Sequence, residues 1–292
     1  MNTPIIKPVM HFAPAYLLSP TNPITVNLIG AGGTGSRVLT ALAEMNHSLN
    51  ALGHAGLYVR MFDDDVITHA NLGRQRFAVS ELGLKKTVAR INNINRFFGT
   101  NWKSVPYQFS QENLQRFNSF VCANIFISCV DSVSARMQIA ELLKSLADSS
   151  TQHRDRPFYW MDYGNSKSTG QVILSTIGDI LQPASKKFKT IKNLPFVTDE
   201  FGSLLQSSET ADNTPSCSLP EALEKQDLFI NATITQLGSA LLWSLLRQGM
   251  TENRGIFVNL ETLITQPLKV AETFSNARVG SGRYFSLLAQ EK

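Results

Sequence analysis

The chain has 292 residues, of which 43% are hydrophobic and 17% charged, with a formal net charge of +4. This composition is typical of a globular protein and excludes a largely disordered one. No apolar run reaches the roughly 18 residues of a membrane span, and the N-terminus lacks a signal-peptide pattern, so we predict a cytoplasmic protein. Because the basic residues are dispersed apart from 185–192, nucleic-acid binding is only a minor alternative.

Three cysteines occur without a CxxC pair. We therefore expect neither a disulfide framework nor structural zinc. Cys122 and Cys129 lie in or near an apolar run, where a thiol packs like a small apolar side chain. Cys217 precedes a helical pattern, and the free N–H groups of a helix N-terminus stabilise a thiolate. Cys217 is therefore a candidate nucleophile, with a structural thiol as the alternative.

The first apolar run, ITVNLIG, leads into a glycine cluster and then a helical pattern. Gly30, Gly32 and Gly35 have the G-x-G-x-x-G spacing in the strand–turn–helix context that nucleotide sites require. The first glycine permits a tight turn, the second lets the backbone approach phosphate, and the third allows close helix–strand packing. The pattern predicts phosphate at the helix N-terminus; a glycine-rich turn kept for packing is the alternative.

The second apolar run, GLYVRMF, ends at Asp63, 28 residues after Gly35. A carboxylate there accepts hydrogen bonds from ribose hydroxyls, in a dinucleotide or in ATP. The next residues favour ATP, because Asn71, Arg74 and Gln75 supply donors suited to a triphosphate, with arginine as a planar fork. A polar surface loop is the alternative.

The following segment, GLKKTVARINNINRFFG, has helical spacing and contributes a further cation, Lys86. The third apolar run, NIFISCVD, closes with Asp131 at the edge where open α/β sheets bind ligands. A carboxylate beside a triphosphate is a natural Mg²⁺ ligand, and an N-cap for the next helix is the alternative. Arg136 on that helix either faces the same pocket or lies on the helix surface.

Strands alternating with helices predict an α/β fold with a mainly parallel sheet and helices on both faces. In the second half, PFYWMDYG and TGQVILSTIG indicate two strands, and GIFVNLETLITQPLKV an antiparallel pair. We predict one domain over 1–292, with an N-terminal arm (1–22), a nucleotide-binding half (23–150) and a second half (151–292). A mobile loop at about 178–220 would carry Cys217.

Four segments together resemble the ThiF/MoeB family, the prokaryotic relatives of ubiquitin-activating enzymes. They occur in the family's order over about residues 24–140: GAGGTG, FDDDVITHANLGRQRF, GLKK and SCVDSVSAR. Within the family, the chain resembles the ThiF-like proteins of PRTRC plasmid-borne cassettes, also through SCSLPEALEKQDLFIN. The resemblance implies a Rossmann-like ThiF-type fold, extended by antiparallel strands in the second half, and a homodimer.

The activity that the resemblance implies is adenylation of the C-terminal glycine of a small ubiquitin-like or sulfur-carrier-like protein by ATP and Mg²⁺. Carried over by motif position, Asp63 would hold the ribose, and Asp65 and Asn71 would shape the pocket. Arg74 and Lys86 would neutralise phosphate charge. Lys86 matches better than its neighbour because the family's lysine lies three residues after the glycine.

The remaining roles concern the metal and the acyl group. Asp131 would hold Mg²⁺, and Cys217 would accept the acyl group as a thioester. Two departures from the family pattern are the missing CxxC zinc ligands and the absence of any arginine before Arg37. The alternatives are a non-catalytic ATP-binding scaffold or regulator of a plasmid-borne PRTRC system, and an NAD-dependent oxidoreductase.

Overall fold

The computed structural model describes residues 7–72, 75–116, 122–147, 154–208 and 226–271. These residues form an eight-stranded sheet, a smaller three-stranded sheet, seven α-helices and two short 3-10 helices. Within these ranges, no helix is both long enough and apolar enough to cross a membrane.

The large sheet is parallel in its first part and antiparallel in its second. Its strands are β2 (Ile24–Ile29), β3 (Leu57–Phe62), β4 (Lys103–Val105), β5 (Ile125–Ser128), β6 (Tyr159–Asn165), β7 (Thr169–Thr176), β10 (Asn253–Asn259) and β11 (Ile264–Lys269). They lie in the order β11-β10-β7-β6-β5-β2-β3-β4. Strands β2 to β6 pair in parallel, and β7, β10 and β11 pair antiparallel. The predicted mainly parallel sheet with an antiparallel extension is therefore confirmed.

Helices cover both faces of this sheet. They are α1 (Ala15–Leu18), α2 (Gly33–Ala51), α3 (Lys86–Phe98), α4 (Gln111–Arg116), α5 (Val133–Ala147), α6 (Val197–Ser208) and α7 (Ile230–Gln248). Apolar residues of α2, α3 and α7 share one core cluster, and those of α5 and α6 share a second.

The inner strands of the large sheet contribute residues to both clusters, because successive side chains of a strand point to opposite faces. In β5, Ile125 and Ile127 belong to the α2 cluster, whereas Phe126 belongs to the α5 cluster. Trp160 in β6 likewise packs on the α5 side. A sheet covered on both faces favours apolar residues at most positions, which explains the nearly continuous apolar runs in the sequence.

The small sheet joins distant parts of the chain. Its strands are β1 (Val9–Phe12), β8 (Lys189–Thr190) and β9 (Met250–Thr251), in the order β8-β1-β9. Part of the predicted N-terminal arm is thus a strand. The predicted loop at 178–220 is wrong over its first part, which contains β8 and α6, and residues 209–220 lie outside the described residues. The single-domain boundaries stay a prediction.

Candidate functional site

The glycine cluster forms the turn between β2 and α2. Gly30 has φ +98°, and a Cβ there would lie 2.6 Å from the Cys129 carbonyl oxygen. A Cβ on Gly35 would lie 1.9 Å from the Gly30 carbonyl oxygen, whereas a Cβ on Gly32 would meet nothing within 4 Å. Packing therefore requires the first and third glycines. The second faces open space at the start of α2, where a ligand can approach backbone N–H groups.

Asp63 connects the end of β3 to this turn. The Ala31 N–H donates to Oδ2 of Asp63 at 2.6 Å, and the Asp65 N–H donates to Oδ1 at 2.9 Å. Burial raises the pKa of Asp63, while the Ala31 hydrogen bond and the charge of Lys86 act in the opposite direction. The glycine motif and the acid that follows the second strand thus meet at one point on the sheet edge, because β2 and β3 are neighbouring parallel strands.

Lys86 begins α3 and lies near the same edge. Its Nζ is 2.6 Å from Oδ2 of Asp65, in a pair whose lysine side chain is 9% exposed and whose aspartate side chain is 64% exposed. Lys85 instead donates to the main-chain oxygen of Asp64 and is exposed. The buried lysine is therefore Lys86, and its partner faces solvent, where a ligand can replace it at little cost.

The amides of the polar segment have different surroundings. Oδ1 of Asn71 accepts hydrogen bonds from the N–H of Thr68 at 2.8 Å and from its hydroxyl at 3.1 Å, so this oxygen holds a turn. Gln75 is buried, and its Oε1 has no donor among the residues that the structure describes. Arg74, the predicted phosphate-neutralising arginine, lies outside the described residues.

Asp131 is exposed three residues after β5, at the same edge of the sheet as Gly30. The hydroxyl of Ser132 accepts the Ala135 N–H at 3.2 Å, so Ser132 occupies the cap position at the start of α5. Within the described ranges, the Asp131 carboxylate has no hydrogen-bond or ion-pair partner. An exposed carboxylate beside a phosphate site fits Mg²⁺, which takes one or two carboxylates together with phosphate oxygens and water.

A second acidic group lies at the end of β3. Ligand atoms of Asp63, Asp64 and Asp65 all lie within 4.8 Å of one another, and Asp131 does not belong to this group. Two of the three carboxylates already have partners, since Asp63 accepts two N–H groups and Asp65 pairs with Lys86. Asp64 and Asp131 are thus the carboxylates at this edge whose ligand capacity is unused within the described ranges.

Arg136 neither lines an open pocket nor lies on the helix surface. Its Nε donates to both carboxylate oxygens of Asp162 at 3.2 and 3.1 Å, and its Nη2 donates to the Val130 carbonyl at 2.7 Å. Asp162 also accepts the Ser128 hydroxyl at 2.6 Å, and Ser128 accepts the Trp160 indole N–H at 2.8 Å. This buried network fixes the turn that carries Asp131. In the sequence, the network was indicated only by Asp162, a single acid within the aromatic run PFYWMDYG.

The described cysteines are not reactive candidates. Burial raises the pKa of Cys129 well above its ordinary value, and the charge of Asp162 adds to this. Burial also raises the pKa of Cys122. The predicted nucleophile, Cys217, lies outside the described residues, which resume at residue 226.

The start of α7 contacts the glycine turn, which the sequence did not indicate. Asn231 is 2% exposed, and its Oδ1 accepts the Thr34 hydroxyl at 2.7 Å. Its Nδ2 donates to Oε1 of Gln226 at 2.8 Å. The sequence could have indicated this contact, because Asn231 lies among apolar residues of a helix and a buried amide requires hydrogen-bond partners.

Known structures of two proteins share this fold. Selenomethionine-labelled PaaA matches with a TM-score of 0.55 at 12% identity, over 86% of this chain and 65% of PaaA. Escherichia coli MccB with ATP matches with a TM-score of 0.55 at 14% identity, over 89% of this chain and 67% of MccB. E. coli MccB with MccA-N7isoASN matches with a TM-score of 0.54 at 14% identity, over 88% of this chain and 66% of MccB. The chain thus spans about two thirds of the length of these structures.

Comparison of the sequence with curated proteins finds no match. The model of the ThiF family matches residues 21–254, which include the parallel strands and β7, whereas most of β10 and all of β11 lie beyond the matched range. The matched range also includes each predicted site residue, from Gly30 to Cys217. The chain belongs to the ThiF family.

Proposed function

We propose that this protein uses ATP and Mg²⁺ to adenylate the C-terminal glycine of a small ubiquitin-like or sulfur-carrier-like protein. The glycine carboxylate oxygen attacks the α-phosphorus of ATP, and the bond to the bridging oxygen of pyrophosphate breaks. The products are an acyl-adenylate and pyrophosphate. Membership of the ThiF family supports this proposal, as does the shared fold of MccB, which has been crystallised with ATP.

The observation that carries the proposal is the meeting of Asp63, the glycine turn and a buried cation at one edge. Asp63 contacts the N–H of Ala31, and Lys86 lies close enough to act on the charge of Asp63. An acid at this position suits ribose, and a lysine suits phosphate oxygens. A dinucleotide cofactor has only a pyrophosphate and therefore less negative charge to neutralise than the triphosphate of ATP, so a buried lysine at this edge favours ATP.

Each residue has a distinct task in this proposal. Asp63 accepts the ribose hydroxyls, and the N–H groups at the start of α2 contact phosphate at Gly32. Lys86 exchanges Asp65 for a phosphate oxygen, and Arg74 adds a second cation. These charges reduce the repulsion between an anionic carboxylate and an anionic phosphate, which is the main barrier to the reaction.

Asp131 would hold Mg²⁺, which when bound neutralises phosphate charge and polarises the phosphorus centre. Arg136 and Asp162 hold the turn on which Asp131 lies, so they position the carboxylate without touching the nucleotide. Asn71 and Gln75 complete the pocket wall. We further propose that this protein forms a homodimer and belongs to a PRTRC-type plasmid system.

Cys217 accepts the acyl group in a second step of the proposal. Its thiolate attacks the acyl carbon, the bond to AMP breaks, and a thioester and AMP result. Cys217 precedes Gln226 by nine residues, a span of at most roughly 30 Å at the length of an extended chain. Gln226 bonds to Asn231, which contacts the glycine turn at Thr34. A segment of nine residues that ends at Gln226 is therefore long enough to bring Cys217 to the proposed nucleotide site.

The test is ATP–pyrophosphate exchange with each small glycine-ending protein encoded beside this gene. We expect exchange that depends on the small protein, that Asp131→Asn abolishes, and that Cys217→Ala leaves intact while removing the thioester. ATP binding without exchange for any such protein would refute adenylation. That result would support the non-catalytic scaffold instead.

A further inference from the structure

Three arginines converge beside the first turns of α2, outside the residues assigned above. Nη1 of Arg76 and Nη2 of Arg90 both donate to the hydroxyl of Thr40, at 3.4 and 3.1 Å. Arg90 also donates to the carbonyl oxygens of Arg76 at 3.0 Å and Ser36 at 3.3 Å. Nη1 of Arg37 is 3.5 Å from the Gly33 carbonyl oxygen, in the glycine turn itself. We name Arg37, Arg76 and Arg90 the arginine cluster.

Neutral oxygens accept every hydrogen bond described above for Arg76 and Arg90. Within the described ranges, neither arginine has a carboxylate within ion-pair distance. Glu81 acts on the charge of Arg90 without pairing with it, and its carboxylate accepts the Ala78 N–H at 2.7 Å and the Asn93 amide at 2.6 Å. The positive charges of Arg76 and Arg90 lie close together at the neutral hydroxyl of Thr40, and a bound anion would reduce the repulsion between them.

Arg90 is the most confined member of the arginine cluster. It is buried, and its Nε has no acceptor among the residues that the structure describes. Its pKa is lowered to about 10, chiefly by burial and also by the charges of Arg76 and Arg37, while the charge of Glu81 opposes them. Burial and Arg76 also lower the pKa of Arg37. Arg76 and Arg90 therefore carry positive charge that no carboxylate within the described ranges meets in an ion pair.

The position of the cluster relates it to the nucleotide. Lys86 and Arg90 are four residues apart on α3, so they lie on the same side of the helix one turn apart. Arg37 contacts the glycine turn at Gly33, whereas Asp63 contacts the same turn at Ala31. The turn thus lies between an acid suited to ribose and cations suited to phosphate.

We propose that Arg37, Arg76 and Arg90 form a subsite for the terminal phosphates of the nucleotide, which makes the site select a triphosphate over a monophosphate. The inference rests on the proposed function for the identity of the nucleotide. Terminal phosphates carry most of the charge of ATP, and a guanidinium group binds two phosphate oxygens with parallel hydrogen bonds. Arg76 is exposed and can turn from Thr40 to such a ligand without opening the core.

The direct test compares the affinities of ATP and AMP by calorimetry for the wild type, Arg76→Gln and Arg96→Gln. Arg96 is the matched control, because it is exposed on α3 and bonds only to Asn93 in the described ranges. We expect Arg76→Gln to weaken the affinity for ATP about tenfold, the effect of one charge-assisted hydrogen bond. The affinity for AMP should stay unchanged. Arg96→Gln should change neither. Equal losses for ATP and AMP, or no loss for ATP, would overturn the subsite.

A second titration separates this inference from the proposed function. Inorganic tripolyphosphate carries the charge without the ribose or base, and its binding should weaken in Arg76→Gln but not in Arg96→Gln. If the wild type fails to bind ATP yet binds tripolyphosphate through Arg76, the proposed function fails and the anion subsite stands. If ATP binds and neither ligand responds to Arg76→Gln, the subsite fails and the proposed function stands.

Discussion

The hydroxyl of Thr34 donates to the amide oxygen of Asn231 at 2.7 Å and so joins the first turn of α2 to the first turn of α7. Their positions in the chain are 197 residues apart. Gly33 belongs to the same contact, since a Cβ there would lie 2.7 Å from the Asn231 amide nitrogen. The helix that follows the segment carrying Cys217 therefore starts against the glycine turn.

We predict that Thr34 and Asn231 stabilise the fold as a coupled pair. Asn231→Ala should lower the free energy of unfolding by about 2 kcal/mol, because it leaves a buried hydroxyl without its partner. Thr34→Ala should cost less in that background than in the wild type, with a coupling of about 1 kcal/mol. Urea denaturation of the double-mutant cycle measures this. Gln236→Ala, an exposed change on the same helix, is the control, and strict additivity would contradict the pairing.

The three glycines of the turn should differ in what they tolerate. Gly35→Ala should destabilise the fold by about 2 kcal/mol or more, because its Cβ would meet a backbone oxygen that cannot move aside. Gly32→Ala should change stability by less than about 0.5 kcal/mol, since no atom lies within 4 Å of the new Cβ. If Gly32 approaches phosphate, Gly32→Ala should nevertheless weaken ATP binding. Equal melting temperatures for the two variants would refute this account of the turn.

Asp162 should be a structural acid, and its loss should be severe. Asp162→Asn would leave the buried guanidinium of Arg136 without a counter-charge, which typically costs about 3 kcal/mol or more. Both side chains are nearly inaccessible, at 6% for the arginine and 1% for the aspartate. Guanidinium denaturation checks this against Asp199→Asn, which breaks an exposed pair with Lys144 and should cost little. A similar small change in both variants would be inconsistent with the proposed network.

His11 should make stability sensitive to acid. The Nδ1–H donates to the Ile191 carbonyl at 2.6 Å, which leaves Nε2 to accept the Tyr159 hydroxyl at 2.7 Å. Burial lowers the pKa of His11 below its usual 6.5, with the Ile191 bond opposing. As the pH falls below 6.5, the unfolded chain binds a proton that the folded protein resists, so folding stability declines with a slope of up to about 1.4 kcal/mol per pH unit.

Urea unfolding at pH 7.5 and 5.5, values chosen about one unit either side of the ordinary histidine pKa, tests this dependence. His11→Gln should lose less stability between the two values than the wild type does. His47→Gln, a change at an exposed histidine, should behave as the wild type. The same pH dependence in all three proteins would exclude His11 as its source.

The fold was predictable where local patterns and long-range contacts agree. The strands β2, β3 and β5 are mainly apolar. The helices between them have helical spacing, so a parallel sheet follows from sequence alone. Strand β4 has only three residues, Lys-Ser-Val, and forms because β3 offers an unpaired edge. Its sequence has no pattern of its own.

The buried face of α3 shows why parts of the site were not predictable. Leu84 belongs to the segment with helical spacing, but it precedes the helix and is 47% exposed. The buried residues of α3 include Lys86 and Arg90 as well as apolar ones, because distant groups supply the hydrogen bonds of these two cations. Arg136 and Asn231 follow the same rule, since each is buried through a partner remote in sequence. Only the folded chain brings such polar pairs together.

The most direct test of the central claim, that this edge of the sheet is an ATP site, is calorimetric titration with MgATP and with NAD⁺ of the wild type, Lys86→Met and Lys85→Met. Lys85 is the matched control, being the exposed neighbour that bonds to a main-chain oxygen. We predict that the wild type binds MgATP and not NAD⁺, that Lys86→Met weakens MgATP at least about tenfold, and that Lys85→Met binds as the wild type does. Tighter binding of NAD⁺ than of MgATP, or MgATP affinity that is the same in all three proteins, would contradict it.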